Sequence, residues 1–261
     1  MSYFALLKFF SFLLGSMIGS FLNAVIYRIP REISIVKTKR SHCPGCNKII
    51  IWYENIPIFS FLFLRGKCSA CGFKIPLRYF LIELFTGIFF LLLFPIELSQ
   101  ESLIFYFFHI TVLTCFIAHF FIDIDVQILP DSINIILAIV FAAMGLYRYG
   151  WIHTGLGGLV GFFMPYGISW LFYKIKGQIG LGGGDIKLFG ALGLYLGFAG
   201  IFQNLFLSSM VGSVIGFAII LLFKHKKEVP FAFGPAIIIT ASFQIFFENH
   251  FSQLMNFFFY R

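Results

Sequence analysis

The sequence predicts an all-α polytopic membrane protein with about eight transmembrane helices and a small cytoplasmic loop between helices 1 and 2. Of the 261 residues, 59% are hydrophobic and only 11% are charged, whereas soluble domains carry about 25% charged residues. Apolar runs that approach the roughly 20 residues of a bilayer span recur along the chain. They cover residues 3–26, 79–96, 103–122, 133–146, 155–173, 188–203, 205–223 and 231–247. The fourth and sixth runs are short, so the count of eight depends on them.

The distribution of basic residues predicts the orientation of these helices. Cytoplasmic loops near membrane spans are enriched in Lys and Arg, and ten of the 19 such residues lie in segment 28–78. Segments 174–187 and 224–227 bring the total on that face to sixteen, which leaves three for the opposite face. The net charge of +8 therefore reflects membrane topology and contact with lipid, not nucleic-acid binding. Both termini are expected to face away from the cytoplasm.

The long polar segment 27–78 separates a first transmembrane helix, residues 1–26, from a seven-helix domain, residues 79–261. The first helix runs straight into Arg28, so its charges lie on the wrong flank for a cleaved signal peptide. We therefore expect this helix to be retained. Glycines at helical spacing, such as Gly15 and Gly19, predict close packing between membrane helices.

The polar segment contains two Cys-x-x-Cys pairs separated by 21 residues. The four residues are Cys43, Cys46, Cys68 and Cys71. Two such pairs are typical of a structural four-thiolate zinc site, which has no open coordination position. Asn47 and Gly72 follow the two pairs and tolerate the left-handed conformation that such turns often need. Free thiols or redox pairs are the alternatives.

Acidic side chains at membrane depth are costly and usually functional, and here they lie at predicted cytoplasmic helix ends. Asp131 and Asp185 could simply cap helix N-termini, and Asp125 could be a solvated boundary residue. Asp123 resists such an explanation, because a carboxylate at a helix C-terminus meets the negative end of the helix dipole. Two carboxylates from different helices can share a proton and activate water. His119 is more simply interpreted as a buried histidine with satisfied hydrogen bonds.

Further motifs extend this pattern along most of the chain. They are GSFLNAVIYRIP at 19–30, SHCPGC at 41–46, WYENIP at 52–57, LRGKC at 64–68, IPLRY at 75–79, ELFTG at 83–87, LPD at 129–131, GGGDIK at 182–187 and PFAFGP at 230–235. In this order and spacing they resemble the type IV prepilin peptidase family, the membrane aspartyl proteases with a Gly-x-Gly-Asp motif. Two departures are Asn47, where the family usually has glycine, and Ala232 with Phe233, which lengthen the Pro-Phe-Gly-Pro pattern.

The resemblance implies that Asp123 and Asp185 are the catalytic pair. It also implies the substrate, the basic leader of a type IV prepilin or pseudopilin, cut after a glycine at the cytoplasmic face of the bacterial inner membrane. Because all four cysteines are present, it further implies N-methylation of the new amino terminus with S-adenosylmethionine as methyl donor. Cofactor-binding residues stay open, with Glu83 as a candidate and a hydrogen-bonded structural role as its alternative. Lys187 is expected to support the Asp185 loop without taking part in the reaction.

Three other functions compete at this point. A transporter or channel could use the intramembrane carboxylates as an ion path, although no internal repeat of the transporter type is evident. A non-enzymatic assembly factor for a secretion machine would tolerate loss of the carboxylates. A peptidase that has lost methyl transfer would cut its substrate and leave the new terminus unmodified.

Overall fold

The computed structural model describes residues 3–35, 41–223 and 232–259, and the predicted all-α class is confirmed within them. The helices are α1 (Tyr3–Arg28), α2 (Phe59–Phe63), α3 (Leu77–Leu93), α4 (Gln100–Val126), α5 (Asp131–Tyr149), α6 (Trp151–Lys176), α7 (Gly183–Phe223), α8 (Gly234–Phe246) and α9 (Glu248–Phe259). Short 3-10 turns lie at Ile29–Arg31 and Trp52–Asn55. The longer helices overlap the predicted apolar runs, whereas α2 and α9 lie outside them.

Five helical segments in the described part of the chain are long and apolar enough to cross a membrane. They are Tyr3–Arg31, Gln100–Val126, Asp131–Tyr149, Trp151–Lys176 and Gly183–Leu221. The expectation of eight spans is therefore met only in part. The predicted runs at 188–203 and 205–223 belong to the single helical stretch α7, and α3 and α8 have only 17 and 13 residues.

The chain divides into two compact units, residues 1–118 and 119–261. In the first unit, α1 packs on α3 through small residues. A Cβ atom at Gly15 would lie 2.7 Å from Phe90, and one at Gly19 would lie 2.7 Å from the Cα of Glu83. The close packing predicted for these two glycines is confirmed.

In the second unit, α6 packs on the first half of α7 through glycines. A Cβ atom at Gly157 would overlap the carbonyl oxygen of Gly193, and one at Gly161 would overlap that of Phe189. Without side chains at these positions the two helices approach to backbone contact. Helix α5 also packs on α7, with Gly145 against the carbonyl oxygen of Leu194, so α5 and α6 both flank the first half of α7.

Helix α7 is interrupted at Gly197, where φ is 68° and ψ is −175°, a conformation that glycine adopts without steric cost. After this residue the chain packs along α8. Asn204 donates a hydrogen bond to Gln244, near the end of α8, over 2.6 Å, and Gly212 lies against Ala236, near its beginning. The second half of α7 therefore runs antiparallel to α8.

The beginnings of α7 and α8 lie at the same end of the second unit. Gly184 and Gly234 both pack against Leu129. Because the first half of α7 starts beside the start of α8, and the second half runs antiparallel to α8, the chain reverses at Gly197. The predicted break near residue 204 is thus displaced by several residues.

Candidate active site and metal centre

Asp123 is buried at the C-terminal end of α4, with 4% of its surface exposed. Its Oδ2 atom accepts a hydrogen bond of 2.9 Å from the backbone N–H of Gly234, the first residue of α8. That N–H is one of the unpaired amides at a helix N-terminus. The positive end of the α8 dipole therefore compensates a carboxylate at the negative end of α4.

Asp185 lies in the first turn of α7, directly after the glycines at 182–184, and is half-buried. The Gly182 backbone is its hydrogen-bond partner, and the two carboxylates of Asp185 and Asp123 interact electrostatically. Leu129 lies between Gly184, which precedes Asp185, and Gly234, whose N–H binds Asp123, because it contacts both glycines. The two aspartates selected from the sequence are therefore brought together from different helices.

The other two acidic residues lie differently from this pair. Asp125 is exposed, as expected for a boundary residue. The N-cap interpretation of Asp131 is wrong, because Asp131 is already inside α5 and makes no capping hydrogen bond. Its two carboxylate oxygens instead accept hydrogen bonds from the Lys187 ammonium at 2.7 and 2.8 Å. This ion pair connects the start of α5 to the start of α7. Asp185 also follows the first residue of its helix and is not an N-cap.

His119 lies one helical turn before Asp123 and is completely buried. Among the described residues, neither ring nitrogen has a hydrogen-bond partner, so the expectation of a satisfied histidine is wrong. The side-chain amide of Asn134 faces the ring without reaching hydrogen-bond geometry and is itself unpaired. Because His119 and Asp123 are four residues apart, both lie on the same face of α4.

The four cysteines of the loop converge on one point. The Sγ atoms of Cys43 and Cys71 are 3.7 Å apart, those of Cys46 and Cys68 are 4.0 Å apart, and all four lie within 4.8 Å of one another. Zn–S bonds of about 2.3 Å in a tetrahedron place sulfur atoms about 3.8 Å apart. The donor set therefore fits a zinc ion.

The two cysteine pairs have matching backbone turns. Asn47 donates its N–H to the Cys43 carbonyl at 2.8 Å, and Gly72 donates to the Cys68 carbonyl at 3.0 Å. Asn47 has φ of 56° and Gly72 has φ of 72°, which confirms the left-handed turns predicted for both. Hydrogen bonds from the backbone amides of Cys71 and Ala70 lower the pKa of Cys68 to about 6.

Glu83 is buried in α3, with 8% of its surface exposed. Its Oε2 atom accepts a hydrogen bond of 2.8 Å from the N–H of Ile58, and Ser20 is a second partner. Ile58 has φ of 66°, which is unusual for a β-branched residue. The carboxylate therefore connects α3 to the strained turn at Ile58, directly before α2, and stabilises that turn.

Sequence comparisons identify the group of proteins to which these sites belong. The model of the bacterial Peptidase A24 N-terminal domain matches residues 13–96, and that of the type IV leader peptidase family matches residues 110–221. A prepilin leader peptidase/N-methyltransferase of Aeromonas hydrophila is 34% identical over 258 residues, covering 88% of this chain and 87% of that protein. The chain belongs to the type IV leader peptidase family.

Other relatives in the leader peptidase family carry the same name. The protein of Neisseria gonorrhoeae is 34% identical over 87% of this chain and 86% of its own length. That of Myxococcus xanthus is 36% identical over 90% of this chain and 71% of its own length. No solved structure matches the chain significantly. The region matched by the leader peptidase model includes both Asp123 and Asp185, whereas Gly234 lies beyond it.

Proposed function

We propose that this chain is a membrane aspartyl endopeptidase that removes the leader of type IV prepilins or pseudopilins and then N-methylates the new amino terminus. The curated relatives are named for both activities. The observation that carries the peptidase assignment is the pairing of Asp123 with Asp185 from different helices around Leu129.

In the proposed reaction the two carboxylates share one proton, because like charges at close range do not both ionise cheaply. The ionised carboxylate removes a proton from water as the water oxygen attacks the carbonyl carbon of the scissile bond. The protonated carboxylate donates its proton to the carbonyl oxygen. When the C–N bond then breaks, one aspartate gives its proton to the leaving amine, and the other takes a proton from a hydroxyl of the intermediate, which restores the shared-proton pair and forms the new carboxyl group. The glycines before Asp185 leave room for the substrate backbone.

The site is proposed to face the cytoplasm at the inner membrane. Segment 28–78 is strongly basic, and basic loops mark the cytoplasmic side. If both halves of α7 span the bilayer together with α3 and α8, the chain crosses eight times. The end of α4 and the starts of α7 and α8 then meet at the cytoplasmic boundary. A basic leader at an anionic membrane surface would be held close to these carboxylates.

The four-cysteine loop is proposed to hold one structural zinc ion, which supplies a cross-link between the two turns. The spacing of the four sulfur atoms supports this assignment. The methyl group is proposed to come from S-adenosylmethionine, the donor implied by the N-methyltransferase name of the relatives.

The test is cleavage of a prepilin-like peptide by membranes that contain the wild type, Asp123→Asn, Asp185→Asn or Asp125→Asn. Mass spectrometry reports the cut and any added methyl group in one spectrum. We expect the first two variants to be inactive, since neither can share a proton, and the exposed Asp125→Asn control to cut normally. Normal cleavage by Asp123→Asn or Asp185→Asn would overturn the dyad. Absence of any cut by the wild type would favour the transporter alternative.

A further inference from the structure

One stretch of the polar segment 27–78 is strongly apolar. Residues 56–64 read IPIFSFLFL, with Ser60 as the one polar side chain, and they contain α2. The run has nine residues, whereas a helix needs roughly 20 to cross a bilayer, so it does not form a further span. It includes neither an aspartate of the catalytic pair nor a cysteine, so the two sites described above do not account for its composition.

Helix α2 rests on the first turns of α3. Phe61 stacks on Phe80 with the ring centroids 5.2 Å apart, and the Ile58 N–H donates to Glu83 Oε2 at 2.8 Å. Glu83 in turn lies level with Gly19 of α1, where an added Cβ atom would be 2.7 Å from the Glu83 Cα. These contacts fix the depth of α2 along both α1 and α3.

That depth is below the charged ends of both helices. Gly19 precedes Arg28 by nine residues, which is about 14 Å along a helix axis. Glu83 follows Arg78 by five residues, which is about 8 Å. Because α1 is long and apolar enough to cross a membrane, α2 lies at the boundary of the apolar layer or within it. Interfacial helices lie at a similar depth, about 5–10 Å into that boundary.

The exposed side of α2 consists of large apolar side chains. Phe59, Leu62 and Phe63 are all exposed, and 83% of the Phe63 surface is accessible. Trp52 and Tyr53, in the 3-10 turn that precedes α2, are exposed as well. Tryptophan and tyrosine are enriched at membrane–water interfaces, so this composition fits a segment at the edge of the apolar layer.

The neighbouring helices expose apolar side chains at the same level. Phe21 lies two residues from Gly19 and Phe85 lies two residues from Glu83, and both are exposed. The exposed side of α2 therefore continues the lipid-facing surface of α1 and α3. Phospholipid chains are the partner that this continuity selects.

The backbone of the stretch is hydrogen-bonded, as contact with lipid requires, because an unpaired N–H or C=O group is costly in an apolar layer. The N–H groups of Ser60 and Leu62 each donate to the carbonyl four residues earlier, at 3.0 and 3.2 Å. Ile58 precedes the first turn of α2, and its N–H is accepted by Glu83. The buried carboxylate thus allows the turn at Ile58 to enter the apolar layer.

We propose that residues 56–64 form a re-entrant anchor in the leaflet that surrounds the Arg28 end of α1, which is the cytoplasmic leaflet in the proposed topology. Phe59, Leu62 and Phe63 contact phospholipid chains, and Glu83 holds the entry turn. The anchor lies between the two cysteine pairs in sequence, so it ties the four-cysteine loop to the membrane between the flanking helices. It does not depend on the aspartate pair, so either conclusion can fail without the other.

The test is fluorescence quenching in the full-length chain, reconstituted in nanodiscs of phosphatidylcholine and phosphatidylglycerol. The three native tryptophans are replaced by phenylalanine, and Phe63→Trp then places one reporter on the exposed side of α2. Ala70→Trp, at an exposed position within the second cysteine pair, is the matched control. Lipids brominated near the headgroup end of their acyl chains should quench the reporter at position 63 several-fold more than the control, and acrylamide in the water should do the reverse.

Two results would overturn the anchor. Quenching at position 63 by acrylamide but not by brominated lipid would place α2 in water. Protection from both quenchers would mean that protein, such as a second copy of the chain, covers the exposed side of α2. Because Phe63→Trp is a conservative change of an exposed side chain, the reporter itself leaves the fold intact.

Glu83 is tested with the same reporter. Glu83→Leu leaves the Ile58 N–H unpaired and should reduce quenching by brominated lipid several-fold, whereas Glu83→Gln keeps an accepting oxygen and should not. Equal quenching in the two variants would overturn the role of the carboxylate. Circular dichroism shows whether each variant is folded, and if Glu83→Leu is not, the reporter with Glu83 in place decides whether the anchor exists.

Discussion

Gly234→Ala tests the geometry around Asp123 most directly. A Cβ atom at position 234 would lie 2.7 Å from Asp123 Oδ2 and 3.2 Å from Leu129 Cδ2, whereas unstrained contacts need about 3.5 Å. Gly234 lies outside the left-handed region of φ, so alanine is compatible with its backbone. The substitution therefore acts through the contacts of its added methyl group with the Asp123 carboxylate and, less closely, with Leu129.

The expected displacement follows from these distances. The carboxylate has to withdraw by about 0.8 Å, which can stretch its hydrogen bond from 2.9 Å to about 3.7 Å, beyond normal hydrogen-bond length. A misplacement of about 1 Å in a catalytic group can cost about 10²-fold in rate. We expect leader cleavage to fall by about this factor, and the free energy of unfolding to fall by about 1–3 kcal/mol from overpacking.

The assay is the initial rate of leader cleavage in membranes, measured by mass spectrometry and normalised to the amount of enzyme. Gly167→Ala is the matched control, because Gly167 is helical and a Cβ there would meet nothing within 4 Å. Cleavage by Gly234→Ala at the rate of this control would refute the conclusion that the start of α8 positions Asp123.

Four further predictions follow from the described contacts. Lys187→Met and Asp131→Asn should each slow cleavage several-fold. The double variant should be no slower, because both substitutions break the same ion pair. The free energy of unfolding should change by at most about 1 kcal/mol, since the pair is exposed. Gly157→Leu should prevent accumulation of protease-resistant protein, because its side chain would overlap a backbone carbonyl of α7. Metal analysis should find about one zinc per chain, and serine substitution of the cysteines should remove it; metal-free, fully active protein would exclude the zinc site. Hydrogen bonds from Ser69 and a lysine hold the pKa of Glu54 below its ordinary value. Ionised Glu54 thus stabilises the loop above about pH 4 and loses this effect as the pH falls through its folded pKa, so the stability difference from Glu54→Gln should shrink on acidification.

The features that were predictable from the sequence depend on local spacing. The cysteine turns followed from residues three apart and from Asn47 and Gly72, which tolerate positive φ. The helices followed from apolar runs, because hydropathy decides where a chain can enter a bilayer. The compensation that Asp123 requires was also foreseeable, since a carboxylate at a helix C-terminus is unfavourable.

The features that were missed depend on partners distant in sequence. Asp131 follows a proline and reads locally as a cap, but its partner is Lys187, 56 residues away. The amide that compensates Asp123 belongs to Gly234, 111 residues away. Hydropathy could not locate the break at Gly197, because the chain is apolar on both sides of it. Only the contacts with α8 reveal the reversal.

The reversal at Gly197 also bears on how the chain is inserted during synthesis. The half of α7 before this glycine is shorter than the roughly 20 residues that a helix needs to cross a bilayer by itself, and it carries Asp185 and Lys187 in its first turns. The first half of α7 therefore inserts poorly into a bilayer as a single helix. The ribosome must deliver the long apolar second half before the first becomes stable in lipid. Asp185 would thus reach its final depth only when both halves enter the membrane together as a helical hairpin.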